Sequence, residues 1–290
     1  MESTKKNNKL ELPSFMDGSI IQQYHGAEDG ALHASNNGYS HWYIDGANYE
    51  DSPSQWSNDR IEKMLSLMSE LQVKPIYHGN FKVPLASDVP VLRKAAVEYL
   101  KKEIDLSSKL GAPLILHGGG IVEPRYVKDA LNNAIESYVE TVQEAKNYAD
   151  DVGVELWLEN LSNYRKFHPF YYVFTNINEY RYVLDSVKDI KMIYDVCHEK
   201  VGGGDPVEVF SSLHDRIAAF SFSDTDGQRD SHWPLGVGSI DFDGLTRKII
   251  EKNWNGFVAF ETRNVDPKEN IKFVNELYRK HSLDLDVAIN

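Results

Sequence analysis

Three scarcities bound this 290-residue chain before any motif is read. It has a single cysteine, Cys197, so no internal disulfide frame holds it together. It has no apolar run near the ~18 residues that a membrane span needs. Positive charge is also short: 31 Lys and Arg stand against 44 Asp and Glu, a net charge of −13, and no block of Lys or Arg is longer than two residues. Such a balance repels a phosphate backbone, which makes nucleic acid an unlikely partner. The polar stretch Met1–Lys9 lacks the apolar core of a secretion signal, so the expected location is the cytoplasm. No linker rich in Pro, Gly or Ser divides the chain. One domain is expected over 16–281, with an N-terminal extension over 1–15 and a tail over 282–290.

Hydrophobic residues at 41% and charged residues at 26% are ordinary for a globular protein with a buried core. The pattern of that hydrophobicity alternates short apolar strands with amphipathic helices. Strands are predicted at Gly18–Tyr24, Tyr39–Asp45, Val73–Tyr77, Pro113–Leu116, Val154–Leu158, Lys191–Tyr194, Ile217–Phe222 and Gly256–Phe260. Between them, Asp88 and Pro90 open a helix running to about Leu110. Leu131, Ala134, Ile135, Tyr138, Val142, Ala145 and Ala149 mark another that Gly153 ends. Further helices are expected over about Asn178–Val187, from Asp205 and Pro206 to Leu213, from about Phe242, and from Pro267 to Lys280. Eight strand–helix units in a chain of this length predict a (β/α)8 TIM barrel, an α/β fold with a parallel sheet covered by helices.

Six of these strands end on a residue that can hold a metal: His78, His117, Glu159, Asp195 (with His198 beyond it), Asp224 and Glu261, at intervals of 29 to 42 residues. A closed barrel gathers all its strand ends on one face. One histidine at a strand end is more often structural than a ligand. Glu159, Asp195 and Glu261 together would repel one another unless a cation lay among them. Mixed imidazole and carboxylate donors suit Zn, Mn or Fe.

Three pieces of sequence carry a family resemblance: LENLSN at Glu159, YDVCHEK at Asp195, and DSHWPLGVGSIDF after the seventh predicted strand. Over nearly its whole length the chain resembles the xylose isomerase-like TIM barrels, which include sugar phosphate isomerases and epimerases and endonuclease IV. The resemblance implies three metal sites side by side, for one to three divalent ions per chain. The first is His78, His117 and Glu159; the second draws on Glu159, Asp195 and Glu261; the third is His198, Asp230 and His232. It also implies a strand-seven histidine where this chain has Ser221. Either a water or another residue such as His117 then substitutes, or the metal moves toward the histidines, or the chemistry differs.

Around the expected mouth, Asp45 ends the second strand, Arg165, Lys166 and His168 lie in the aromatic stretch NYRKFHPFYYVF, and Arg263 follows Glu261. These are candidate substrate contacts, and the aromatic stretch could equally be a core plug or a contact in a homo-oligomer. By alternation His41, Tyr43 and Asp45 share one strand face. HGGG at His117–Gly120 has no G-x-S-x-G elbow beside it, so its glycines are read as letting backbone pass close to a metal or ligand. Cys197 is not expected to be a nucleophile.

The resemblance implies that Glu159 and Glu261 act as base and acid in a metal-dependent sugar or polyol isomerase or epimerase working through an enediolate. A lyase would use the same parts. An endonuclease IV-like phosphodiesterase is the alternative, and a non-catalytic barrel the last.

Overall fold

The structure is a computed structural model that describes residues 12–19, 25–121, 127–163 and 171–288. In chain order the elements are β1 (Ser14–Asp17), α1 (Ala27–Asn36), β2 (His41–Asp45), two short 3-10 turns at Tyr49–Asp51 and Pro53–Gln55, α2 (Asn58–Leu71), β3 (Lys74–His78), α3 (Pro90–Leu110), β4 (Leu114–His117), β5 (Gly120–Ile121), α4 (Val127–Val152) and β6 (Leu156–Glu159). There follow β7 (Tyr171–Tyr172), α5 (Ile177–Ser186), β8 (Lys191–Asp195), α6 (Val196–Gly202), α7 (Pro206–Leu213), β9 (Ile217–Phe222), α8 (Phe242–Glu251), β10 (Phe257–Phe260) and α9 (Pro267–Ala288). Eight parallel strands close in the order β1-β10-β9-β8-β6-β4-β3-β2, the barrel that the strand–helix alternation predicts. β5 and β7 form a separate antiparallel ribbon.

Most expected elements stand within a residue or two of their predicted ends; three readings are corrected. The first strand is Ser14–Asp17, not Gly18–Tyr24, because Ser14–Asp17 is the segment in register with Phe257–Phe260 and closes the ring. Residues 20–24 of the predicted strand lie outside the described residues. The N-cap of α3 is Val89, with no side-chain cap, and Pro90 provides the start. The glycines of HGGG serve the fold: a Cβ at Gly118 would meet Val173 O at 2.1 Å, and one at Gly119 would meet Ala86 N at 2.8 Å.

Two layers of the barrel interior determine the site. Below it, each barrel strand gives one residue to an inner cluster: Met16, Tyr43, Ile76, Ile115, Trp157, Ile193, Ala219 and Ala259. The intervening side chains, such as Trp42, Tyr77, Leu158, Tyr194 and Phe220, face outward and pack under the helices. Side chains return to the same strand face every second residue. Two positions beyond the inner cluster therefore stand Gly18, Asp45, His78, His117, Glu159, Asp195, Ser221 and Glu261. The sequence-predicted ligands of the strands thus form the next layer up, at the end where barrel loops gather.

Candidate metal centre

β3, β4 and β6 bring the first expected set together. His78 Nε2 lies 3.2 Å from His117 Nε2 and 3.5 Å from Glu159 Oε2, and His117 Nε2 lies 3.4 Å from the same oxygen. A tetrahedral ion with bonds of about 2.0–2.1 Å holds its ligand atoms about 3.3–3.4 Å apart. The three edges, 3.2 to 3.5 Å, bracket that length, so the residues present fit a divalent cation. The three side chains are buried, and they are among the groups whose donor atoms converge closely enough for an ion. Burial pulls His78 toward neutrality, but pairing with Glu159 outweighs it and raises His78 to about 9. Glu159 resists the same burial through His117, His78 and His198 and falls to about 2. His117, lowered to about 3 by burial and then by His78, stays neutral.

The β9–α8 loop, with His198 from α6, supplies a second cluster. Asp230 Oδ2 lies 3.3 Å from His198 Nε2 and 3.1 Å from His232 Nε2. Each ring has its other nitrogen on a main-chain carbonyl: His198 Nδ1 is 2.8 Å from Asn160 O, and His232 Nδ1 is 2.8 Å from Glu261 O. A carbonyl only accepts, so Nδ1 carries the proton in both rings and Nε2 is left as the ligand nitrogen. That assignment decides between two groupings of His198. Its Nδ1 is 3.7 Å from Asp195 Oδ2 and 4.0 Å from Glu159 Oε1, within ligand range, but that nitrogen is committed to Asn160. His198 therefore belongs with Asp230 and His232. Behind them the Cys197 thiol donates to Asp230 Oδ1 at 3.3 Å, and burial pushes that thiol's pKa up, so it stays protonated.

Between the two clusters lie the carboxylates of β8 and β10. Asp195 caps α6 by accepting from His198 N at 2.6 Å. Its main chain is held by the Asn160 side chain, which accepts from Asp195 N at 2.8 Å and donates to Asp195 O at 3.0 Å. Sequence reasoning assigned no role to Asn160, although it sits inside the LENLSN motif. Burial, then Glu159 and Asp195, raise Glu261 to about 7. Burial raises Asp195 to about 6, with His198 opposing and Asp230 and Glu159 reinforcing the rise. Below them the Tyr43 phenol is fully buried and packs 5.4 Å from the His78 ring. Gly18 is what lets Glu261 stand here, since a Cβ at that position would meet Glu261 Cγ at 2.8 Å.

The remaining candidates divide. Asp45 lies in the same layer, partly buried, with Oδ1 accepting from Ala47 N at 2.9 Å. Arg263 is exposed, and its N–H bonds His232 O at 2.8 Å. Arg165, Lys166 and His168 lie outside the described residues. Asp224 leaves the metal set: its carboxylate accepts from Thr225, Gly236, Gly238 and Ile240 main-chain N–H groups and so builds the loop that carries Asp230 and His232. His41 sits at the opposite end of the strand against Phe257. Of the aromatic stretch, Val173 and Phe174 are core residues, and Asn163 clamps Tyr172 at both N–H and O. Phe81, 57% exposed, meets the His117 ring edge-on at 6.1 Å. Among the described residues no helix is long and apolar enough to cross a membrane.

Comparison with known proteins agrees with the barrel fold. A D-tagatose 3-epimerase-like protein of known structure superposes with a TM-score of 0.80 over 94% of this chain and 99% of its own, at 20% identity. Fructoselysine 3-epimerase of Shigella flexneri is 25% identical over 176 residues, 59% of this chain and 59% of its own length, less than two thirds of that protein. A probable endonuclease 4 of Thermotoga maritima is 24% identical over 231 residues, 72% of this chain and 76% of its own. Residues 33–281 match the family model described as xylose isomerase-like TIM barrel, and the chain belongs to that family.

Proposed function

We propose that this protein is a metal-dependent epimerase or isomerase of a sugar or polyol, moving a proton next to a carbonyl through an enediolate. One observation carries the reading. Glu159 and Glu261 share a buried layer three strands apart around the ring, and their surroundings drive them in opposite directions, to about 2 and to about 7. Two carboxyl groups with separated pKa values are the arrangement for one base and one acid. Here Glu159 is the ionised partner and Glu261 the one able to hold a proton near neutral pH. Tyr43 and the inner cluster beneath them exclude water from below. His78, His117 and Glu159 would hold a Zn, Mn or Fe ion, with Asp195 and Glu261 within the same layer. When bound, such an ion polarises substrate oxygens and makes the adjacent C–H more acidic. The similarity to sugar 3-epimerases supports this class of substrate. An elimination would draw on the same groups.

The cluster of His198, Asp230 and His232 favours a second reading, a multi-metal phosphodiesterase of the endonuclease 4 kind. The net charge of −13 weighs against it. So does the loop after β2: its Asp51 is buried and bound by Arg60, which also grips Glu28. That loop is bolted to the scaffold rather than presented to a polyanion. The test is proton exchange into ketoses, including D-tagatose and D-allulose, by NMR in D2O with Mn-, Fe- or Zn-loaded protein. Incorporation of deuterium beside the carbonyl is expected. No exchange, together with hydrolysis of a model phosphodiester, would replace the first reading with the second.

A further inference from the structure

The helix that carries His198 does not aim it unaided. α6 has seven residues, and an isolated helix of that length does not persist in water, so the direction of His198 is set by whatever holds α6 in place. Two polar locks hold it. The first is Asn160, buried just beyond β6. β6 and β8 pair as parallel strands as far as Glu159 and Ile193. There the Asn160 side chain takes over, bonding both the N–H and the O of Asp195, the N-cap of α6, while its main-chain oxygen receives the His198 Nδ1 proton. The second lock lies behind the helix. Glu199 is 5% exposed, and its Oε2 accepts from the hydroxyl of Tyr180 on α5 at 2.8 Å. A buried carboxyl is costly unless it is hydrogen-bonded, and this bond ties α6 to α5. Tyr180 is fully buried and is also a polar neighbour of the Asn160 amide, so the two locks meet. Gly204, on the exposed turn after α6, makes room for the carboxyl group: a Cβ there would overlap it, standing 2.6 Å from Glu199 Cδ. Gly203 ends the helix at φ 95, whereas the backbone of Gly204 is not left-handed, so the reason for glycine at 204 is space.

We propose that Tyr180, Glu199 and Gly204 are positioning residues for the candidate centre: with Asn160 they seat α6 so that His198 Nε2 faces Asp230. None of the three is a candidate ligand. They act through the scaffold, in the order Gly204, Glu199, Tyr180, Asn160, and a glycine on an exposed turn thereby governs the aim of a buried imidazole. His232 supplies the contrast. It faces the same Asp230 oxygen, but it stands on the β9–α8 loop and gives its Nδ1 proton to Glu261 O beyond β10. Loosening α6 should therefore release one histidine of the cluster and spare the other. The inference holds whether the chemistry is epimerisation or phosphodiester hydrolysis, because it concerns how the ring is held and not what it acts on.

The experiment is NMR of the histidine ring N–H groups in the full chain labelled with nitrogen-15, without added metal, where His198→Gln and His232→Gln assign the two signals. Wild type is compared with Gly204→Ala, Tyr180→Phe, Glu199→Ala and Glu199→Gln. In wild type both Nδ1 protons are expected to be protected from exchange with solvent. Gly204→Ala, Tyr180→Phe and Glu199→Ala should speed exchange of the His198 proton by about tenfold, the scale of one lost hydrogen bond, and leave the His232 proton at its wild-type rate. Glu199→Gln keeps an acceptor for the Tyr180 hydroxyl and should restore the wild-type rate. Tyr180→Phe removes a single oxygen, so it keeps the test open where Gly204→Ala does not fold. The proposal is overturned if the His198 proton keeps its wild-type protection in Tyr180→Phe or in folded Gly204→Ala. It is equally overturned if His198 and His232 lose protection together, which would mark a general loosening of the fold rather than a seat for α6.

Discussion

The two halves of the strand-end layer are built on different principles. On β3, β4 and β6, two imidazoles and one carboxylate form a compact triangle with edges of 3.2 to 3.5 Å, sized for an ion in advance. On β8, β9 and β10, two carboxylates flank a serine, and their pKa values are raised to about 6 and about 7 rather than lowered. Charge is balanced in the first half and left unbalanced in the second. Under the proposed function the histidines that would hold the cation and the acid that would hold the proton stand on different strands, and Glu159 alone would serve both.

The strongest way to break that division is Glu159, which belongs to both halves. Glu159→Ala should abolish metal retention, measured by elemental mass spectrometry, and lower ketose turnover by about 10⁴-fold or more. A variant that keeps its metal would remove Glu159 from the triangle. Glu261→Gln separates the halves more finely: turnover should fall about 10²- to 10⁴-fold while the metal content stays at the wild-type level. Joint loss of metal and turnover would place Glu261 among the anchors and erase the contrast.

Support behind each half gives smaller effects. Glu103 on α3 is 1% exposed and accepts from Asn80 N at 2.9 Å, just beyond His78. Burial raises its pKa from 4.5 to about 7, with the Asn80 N–H and His78 opposing. The folded state therefore holds a proton that the unfolded chain releases above 4.5. The stability from burying the neutral acid is complete below that pH and is lost as pH rises through about 7. Comparing metal-loaded wild type with Glu103→Gln by urea unfolding should show the variant lacking a decline of about 3 kcal/mol over that interval. Equal slopes would mean that Glu103 is ionised throughout. Behind the other half, Cys197→Ala removes the donor that fixes Asp230 and, if that cluster takes up added Zn, should weaken its binding there about tenfold in a chelator competition, leaving the triangle unaffected. An equal loss at both would show the two clusters to be one unit.

Much of this candidate site was legible because barrel geometry converts a sequence rhythm into a ring: five of the eight strands end on or next to a candidate ligand, and the pleat selects the face. Where a strand's identity depended on its partners rather than its own residues, the sequence misled. SFMD is a four-residue strand only because Phe257–Phe260 lies beside it, and Gly18–Tyr24, richer in apolar β-branched residues, outcompetes it by pattern alone. The β5–β7 ribbon has two residues on each side, too short for any periodicity. Asp224 has the strand-end position of a ligand, but its oxygens are taken by main-chain N–H groups from residues up to 16 positions away, which no strand pattern records. Asn160 and the tautomers of His198 and His232 likewise depend on which carbonyl lies opposite.

Those two carbonyls tie assembly of the centre to the order in which the chain folds. The His232 proton has its acceptor on Glu261, at the far end of the last barrel strand, and the His198 proton has its acceptor on Asn160, 38 positions earlier. Neither ring is aimed until sequence-distant strands have docked, and contacts of long sequence separation form late. Uptake of an added ion at the His198–Asp230–His232 cluster during refolding would thus be a clock for ring closure: it should lag helix formation and coincide with seating of the final strand, whereas uptake at the triangle should not wait for it.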